Sequence, residues 1–131
     1  MKYISLICVV LFFSCKGQTT KSRESHPNRQ NEIFELIQGS WTQTQDSLAT
    51  VAVESREWTF LYDGKSENSS KYQIIISDTL THFVDKEVKA DFLILQHPED
   101  TLYYEINGVT ANVMSLMSYP SGRIHVYNRL K

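Results

Sequence analysis

Apolar and polar residues alternate in short runs along most of this chain, with turn residues about every ten positions. Residues 41–45 alternate tryptophan and glutamine with threonine and predict a first strand. Residues 48–53 are apolar and β-branched, a strand with a short helix as the alternative. Residues 57–62 place Trp58, Phe60 and Tyr62 on one face, and residues 71–77 do the same with Tyr72, Ile74 and Ile76. Further strands are predicted at 80–84, 90–96, 101–106, 109–119 and 123–130. Phe92-Leu93-Ile94-Leu95 is apolar on both faces, as in a central strand. The intervening turns are Asp46-Ser47, Asp63-Gly64 continuing as a polar loop to residue 70, Asp78 and the charged run 85–88. They continue with His97-Pro98-Glu99-Asp100, Asn107-Gly108 and Pro120-Ser121-Gly122. Before the first strand, Ile33, Phe34, Leu36 and Ile37 fall at helical spacing. A helix of one or two turns is expected within 31–38, capped by Asn28 or Asn31.

Eight or nine strands with connections too short for parallel crossovers must pair antiparallel with their sequence neighbours. The expected class is all-β, an up-and-down barrel with a short N-terminal helix. Closure into a barrel leaves no exposed edge.

The first residues read as an address. Lys2 precedes an apolar run of about ten residues, half of the about 20 that a membrane span requires. Phe12-Phe13-Ser14-Cys15 follows and resembles a bacterial lipobox, with a small residue before the cut and a thiol after it. Residues 1–14 are therefore expected to be a signal peptide, with acylated Cys15 as the mature N-terminus. Residues 16–30 contain no large apolar side chain and form a solvated tether. Cys8 leaves with the signal and Cys15 is acylated, so the domain at 31–131 holds no thiol. Stable anchoring takes more than one acyl chain, each buried methylene contributing about 0.8 kcal/mol. The expected location is the bacterial envelope, facing the periplasm, on the outer rather than the inner membrane.

Composition sets the remaining limits. The 131 residues suffice for one domain. A net charge of -2 and the lack of a basic stripe argue against nucleic acid as a partner.

Gly39-Ser40-Trp41 follows the helix and opens the strand meander, and the last strand carries Arg129 and Arg123. This arrangement resembles the lipocalin-like, calycin-type domains of small bacterial lipoproteins. The resemblance implies that Trp41 packs under the barrel floor, with an arginine from the chain end, Arg129 in preference to Arg123, across its indole. Gly39, Trp41 and Arg129 are then structural partners in barrel closure.

A barrel of eight strands can fill with side chains or hold one small ligand. The candidate lining is Trp58, Phe60, Tyr62, Tyr72, Phe92, Tyr104, Met114 and Met117, soft and aromatic residues suited to apolar molecules. Read without a ligand, the same residues are core. His82, His97 and His125 show no metal-ligand spacing and read as surface or strand-exposed histidines, so neither metal nor cofactor is expected. Glu54, Glu57, Asp85 and Asp91 could supply paired carboxylates, although acidic residues beside turns are usually solvated. Ser47 and Ser115 lack the glycines of a nucleophile elbow. Tyr103, Tyr119, Tyr127 and Arg123 form a candidate aromatic patch near Pro120 for a protein partner, or a solvated row of cross-strand pairs. The leading expectation is a membrane-anchored, non-enzymatic binding module for a small apolar or amphipathic molecule. The alternatives are an interaction or inhibitor module with a solid barrel and, third, a small hydrolase or isomerase using mouth carboxylates or His125.

Overall fold

The alternating runs pair with one another in sequence order and the last returns to the first. The computed structural model describes residues 27–65, 70–80 and 88–131. Helix α1 (Pro27–Leu36) leads into strands β1 (Gly39–Gln43), β2 (Ala49–Glu54), β3 (Glu57–Tyr62) and β4 (Lys71–Leu80). Strands β5 (Val88–Gln96), β6 (Thr101–Val109), β7 (Val113–Tyr119) and β8 (Ile124–Arg129) follow. All neighbours pair antiparallel, and β8 pairs with β1, so the sheet is a closed up-and-down barrel of eight strands. The signal peptide, Cys15, the tether to His26, residues 66–69 of the polar loop, the strand expected at 80–84 beyond Leu80, and His82 and Asp85 lie outside the described residues.

The boundaries differ from expectation where local chemistry was ambiguous. The helix begins at Pro27 rather than at Asn31. Proline suits the first helical position because its missing N–H is one that the helix leaves unpaired. Asn28 and Asn31 therefore sit within the helix rather than capping it. The turn expected at Asp78 is instead a register shift between Ser77 and Thr79 inside one long strand. There the Ser77 hydroxyl serves both the N–H and the carbonyl of Thr79, at 3.2 and 3.0 Å. Likewise Asn107-Gly108 is no corner: β6 runs through it with a shift between Ile106 and Gly108. Glycine within a strand often marks such a bulge. The reversal falls at Thr110, whose N–H and hydroxyl both bond the Val113 carbonyl. Asp63-Gly64 does make a tight turn, with both residues at positive φ (52° and 65°). Lys65 donates to the Tyr62 carbonyl across it, the geometry that favours Asp-Gly in hairpins.

Strand register decides what faces inward. The pairs Trp41↔Val51, Val53↔Trp58, Trp58↔Tyr72 and Ile74↔Leu95 share the inner face. So do Leu93↔Tyr104, Ile106↔Leu116, Leu116↔His125 and Met114↔Tyr127. Helix α1 lies at the end where β1 begins, the base, and adds Ile33 and Ile37 to the same apolar cluster. The other end, ringed by the β1–β2, β3–β4, β5–β6 and β7–β8 connections, is the mouth.

Candidate functional site

The base is sealed by one set of contacts. The Trp41 indole N–H donates to the Ile37 carbonyl at 2.8 Å, tying β1 to the last turn of α1. The Arg129 guanidinium carbon lies 4.1 Å from the centre of the Trp41 ring. Its nitrogens donate to the carbonyls of Leu36 (2.6 Å), Gln38 and Ala111. Helix-end carbonyls lack partners of their own, and a planar cation can serve several at once. Gly39 lies against this group at φ 110°, and a Cβ there would stand 2.6 Å from Arg129 Nη1. Both the backbone angle and the space thus require glycine. Gln38 extends the seal by donating to the carbonyls of Phe34 and Ser55, each at 3.0 Å, while Arg56 stacks 5.1 Å from the Phe34 ring centre. Arg123, the other candidate for the base, belongs to the β7–β8 connection at the mouth.

The mouth is different in character. Phe60, Leu102, Tyr104, Ser118, His125 and Gln43 all face inward by register, yet each is only half-buried. These partly exposed inner-face residues, above fully buried Trp58, are termed the cup. Phe60 meets Trp58 edge-on at 5.9 Å, Tyr127 meets it at 6.5 Å, and Phe60 meets Tyr72 at 5.6 Å. The Tyr72 hydroxyl reaches Asp100 at the rim, 3.3 Å away. His125 links Gln43 and Ser118 through its two ring nitrogens, both at 3.4 Å, and lies against Tyr104 at 5.9 Å. Ser118 is within 2.7 Å of the Ser121 hydroxyl.

Titration follows burial. Burial pushes the Tyr104 and Tyr127 hydroxyls up, and it pushes Tyr72 up with help from its bond to Asp100. His125 is lowered below 6.5, first by burial and then by Arg123. A depressed histidine binds its proton more readily in the unfolded chain. Its contribution is thus complete above pH 6.5 and is lost as the pH falls through its folded value. An imidazole titration by NMR should place His125 below 6.5, and His125→Gln should flatten the fall in stability on that acid side. A folded value at or above 6.5 would refute the proposed environment.

The eight candidate lining residues divide. Trp58, Phe60, Tyr72, Tyr104 and Met114 face the interior, and Tyr62 stands at the rim, 57% exposed. Phe92 and Met117 do not line it. Register pairs Phe92 with Ser77 and Glu105, and Glu105 with Met117, on the outer wall. Phe92 is buried there beneath the ring of Tyr119, outside the cluster that fills the barrel. Met114 and Met117 are separated by an odd number of positions, so one strand sends them to opposite faces.

The expected tyrosine patch also divides. Tyr119 and Tyr103 pair on the outer wall, where Tyr119 donates to Glu105 at 2.8 Å, a bond that raises its own pKa. Tyr127 instead points inward.

Of the described candidate carboxylates, Glu54 is exposed at the end of β2, and Asp91 and Glu57 are paired at the surface. Asp91 accepts from Arg29 of α1 at 3.2 Å, and Glu57 pairs with Lys71 at 3.1 Å. His97 accepts the Glu99 N–H and lies 5.3 Å from the Tyr72 ring. Among the described residues no group of three or more His, Cys, Asp and Glu could hold a metal. Near the Glu57–Lys71 pair, an open groove of ≈ 590 Å³ runs along the outer wall between Glu54-Ser55-Arg56 and Gln96-Pro98. It is polar, of mixed charge, and separate from the cup apart from Tyr72.

Sequence reasoning left Gln43 and Ser118 out of the cup and named His125 only in the third, enzymatic alternative. The usable signal was parity: His125 and Tyr127 share a face with Arg129, the residue expected at the barrel base. No family model, no curated protein and no solved structure matches this chain. The conclusion that stands on geometry alone is an eight-stranded antiparallel closed barrel with one short N-terminal helix.

Proposed function

We propose that this protein is a membrane-tethered, non-enzymatic binding module that takes a small, mainly apolar molecule into the cup at the barrel mouth. The observation that carries the reading is the partial exposure of inward-facing Phe60, Tyr104 and His125 above fully buried Trp58. A lipocalin-like resemblance in Gly39, Trp41 and Arg129 accords with it, as do aromatic walls with a few polar groups. The lipobox-like Phe12-Phe13-Ser14-Cys15 supports an acylated N-terminus at Cys15, and the polar residues 16–26 before α1 would let the barrel sample the space beside an envelope membrane.

The test is native mass spectrometry of the full chain extracted gently from its own host. The expected spectrum has a mature N-terminus at acylated Cys15 and a retained small molecule. A free thiol at Cys15 would end the anchoring claim, and repeated recovery of ligand-free protein would end the binding claim. A second reading, an interaction module with a solid barrel, rests on exposed apolar side chains on the mouth side, namely Leu48, Tyr62 and Ile124. Co-recovery of a stoichiometric protein partner without a small molecule would favour that reading.

A further inference from the structure

The floor of the cup holds a buried polar group that no described residue pairs. Trp58 is fully buried, and its indole Nε1–H has no hydrogen-bond partner among the described residues. Buried donors are nearly always paired, and an exception points to a missing acceptor. The other buried indole in the barrel obeys the rule, since Trp41 donates to Ile37. Register directs the Trp58 side chain inward, and its ring neighbours Phe60 and Tyr127 offer π faces, which are weak acceptors at most.

The surroundings restrict what could complete the pair. No charged side chain is buried among the described residues. Arg129 is occupied by three carbonyls at the base. The rim carries both signs of charge, the Asp100 carboxylate on Tyr72 and the Arg123 guanidinium whose charge reaches His125. Whatever the rim charges do on approach, an anionic head group at the depth of Trp58 would lose its hydration without gaining a buried cation. A cation would find no carboxylate on the floor. A neutral oxygen has neither difficulty.

We infer that the cup selects a neutral, mainly apolar molecule bearing one carbonyl or similar oxygen, which accepts the Trp58 indole N–H. The inference rests on the proposed binding function and adds the chemical class of the ligand. Because the N–H is closed to solvent, entry requires movement of half-buried Phe60, the ring packed edge-on against Trp58. Tyr104 and Tyr127 then flank the bound oxygen.

The chain contains two tryptophans, so a ¹⁵N spectrum of the full-length protein carries two indole resonances. Trp58→Phe assigns them by deleting one. The probes are 2-decanone, a neutral ketone, and decanoate at pH 8, an anion of the same length. 2-Decanone is expected to shift the Trp58 indole proton downfield and saturably, with the Trp41 signal unmoved. Decanoate should bind at least about tenfold more weakly. Trp58→Phe should weaken the ketone about tenfold, the loss of one hydrogen bond, as read from the tyrosine ring resonances. If the ketone shifts the tyrosine rings but not Trp58, the acceptor assignment fails while the binding function stands. If decanoate binds as well as the ketone, the neutral class is wrong. If neither probe moves any cup resonance, both the inference and the function beneath it fall.

Discussion

Trp41→Ala is expected to destabilise the fold by about 3–5 kcal/mol, the range for emptying the space of a large buried aromatic. The loss has three parts at one place. The indole is fully buried beneath the barrel, its N–H holds the Ile37 carbonyl, and its face carries the Arg129 guanidinium. Domains are commonly stable by about 5–15 kcal/mol, so this substitution alone takes a large share. Trp41→Phe separates the parts. It keeps most of the packing and the ring face, but leaves the Ile37 carbonyl without its donor, at about 1–3 kcal/mol. Urea unfolding of the three proteins, followed by circular dichroism, measures the series. If Trp41→Ala unfolded within 1 kcal/mol of the parent, the base would not be the keystone described.

Arg129→Ala should cost about as much, roughly 3–5 kcal/mol, because it strips the carbonyls of Leu36, Gln38 and Ala111 together and uncovers the indole. Those three acceptors belong to α1, the link to β1 and the β6–β7 turn, so one side chain fastens three separate pieces of chain. Arg129→Lys keeps the charge but has no planar fork to reach acceptors in three directions, and it should recover less than half of the loss. Gly39 supplies the cross-check. Gly39→Ala suffers both from positive φ and from the contact with Arg129 Nη1. In an Arg129→Ala background only the backbone strain remains, so Gly39→Ala should cost less there by at least about 1 kcal/mol. An equal cost in both backgrounds would show that the two residues do not communicate.

The two ends of the barrel are made differently for a physical reason. At the base, helix-end carbonyls and a turn carbonyl converge on one cation, and the apolar residues of α1 finish the core. At the mouth no described helix covers the inner face, which turns polar there through His125, Gln43 and Ser118 while Phe60 and Tyr104 remain partly exposed. The rigid, satisfied end supports the strands that position the unsatisfied one.

Period-two alternation, frequent turn residues and short connections were enough to determine an all-β antiparallel barrel from the sequence by itself, because each half-buried strand repeats its apolar face every second residue. The alternation of Trp58, Phe60 and Tyr62, and of Tyr72, Ile74 and Ile76, was legible for the same reason. Tertiary structure decided what local pattern leaves degenerate. A run such as Phe92–Leu95 is apolar on both faces, so only pairing assigned Leu93 and Leu95 to the interior and Phe92 to the outer wall. Bulges at Ser77/Thr79 and Ile106/Gly108 turned two expected corners into continuous strand, because paired neighbours can absorb one extra residue. The unpartnered Trp58 N–H could not be read at all from sequence, since whether a donor is satisfied depends on which atoms the closed barrel brings within reach of it.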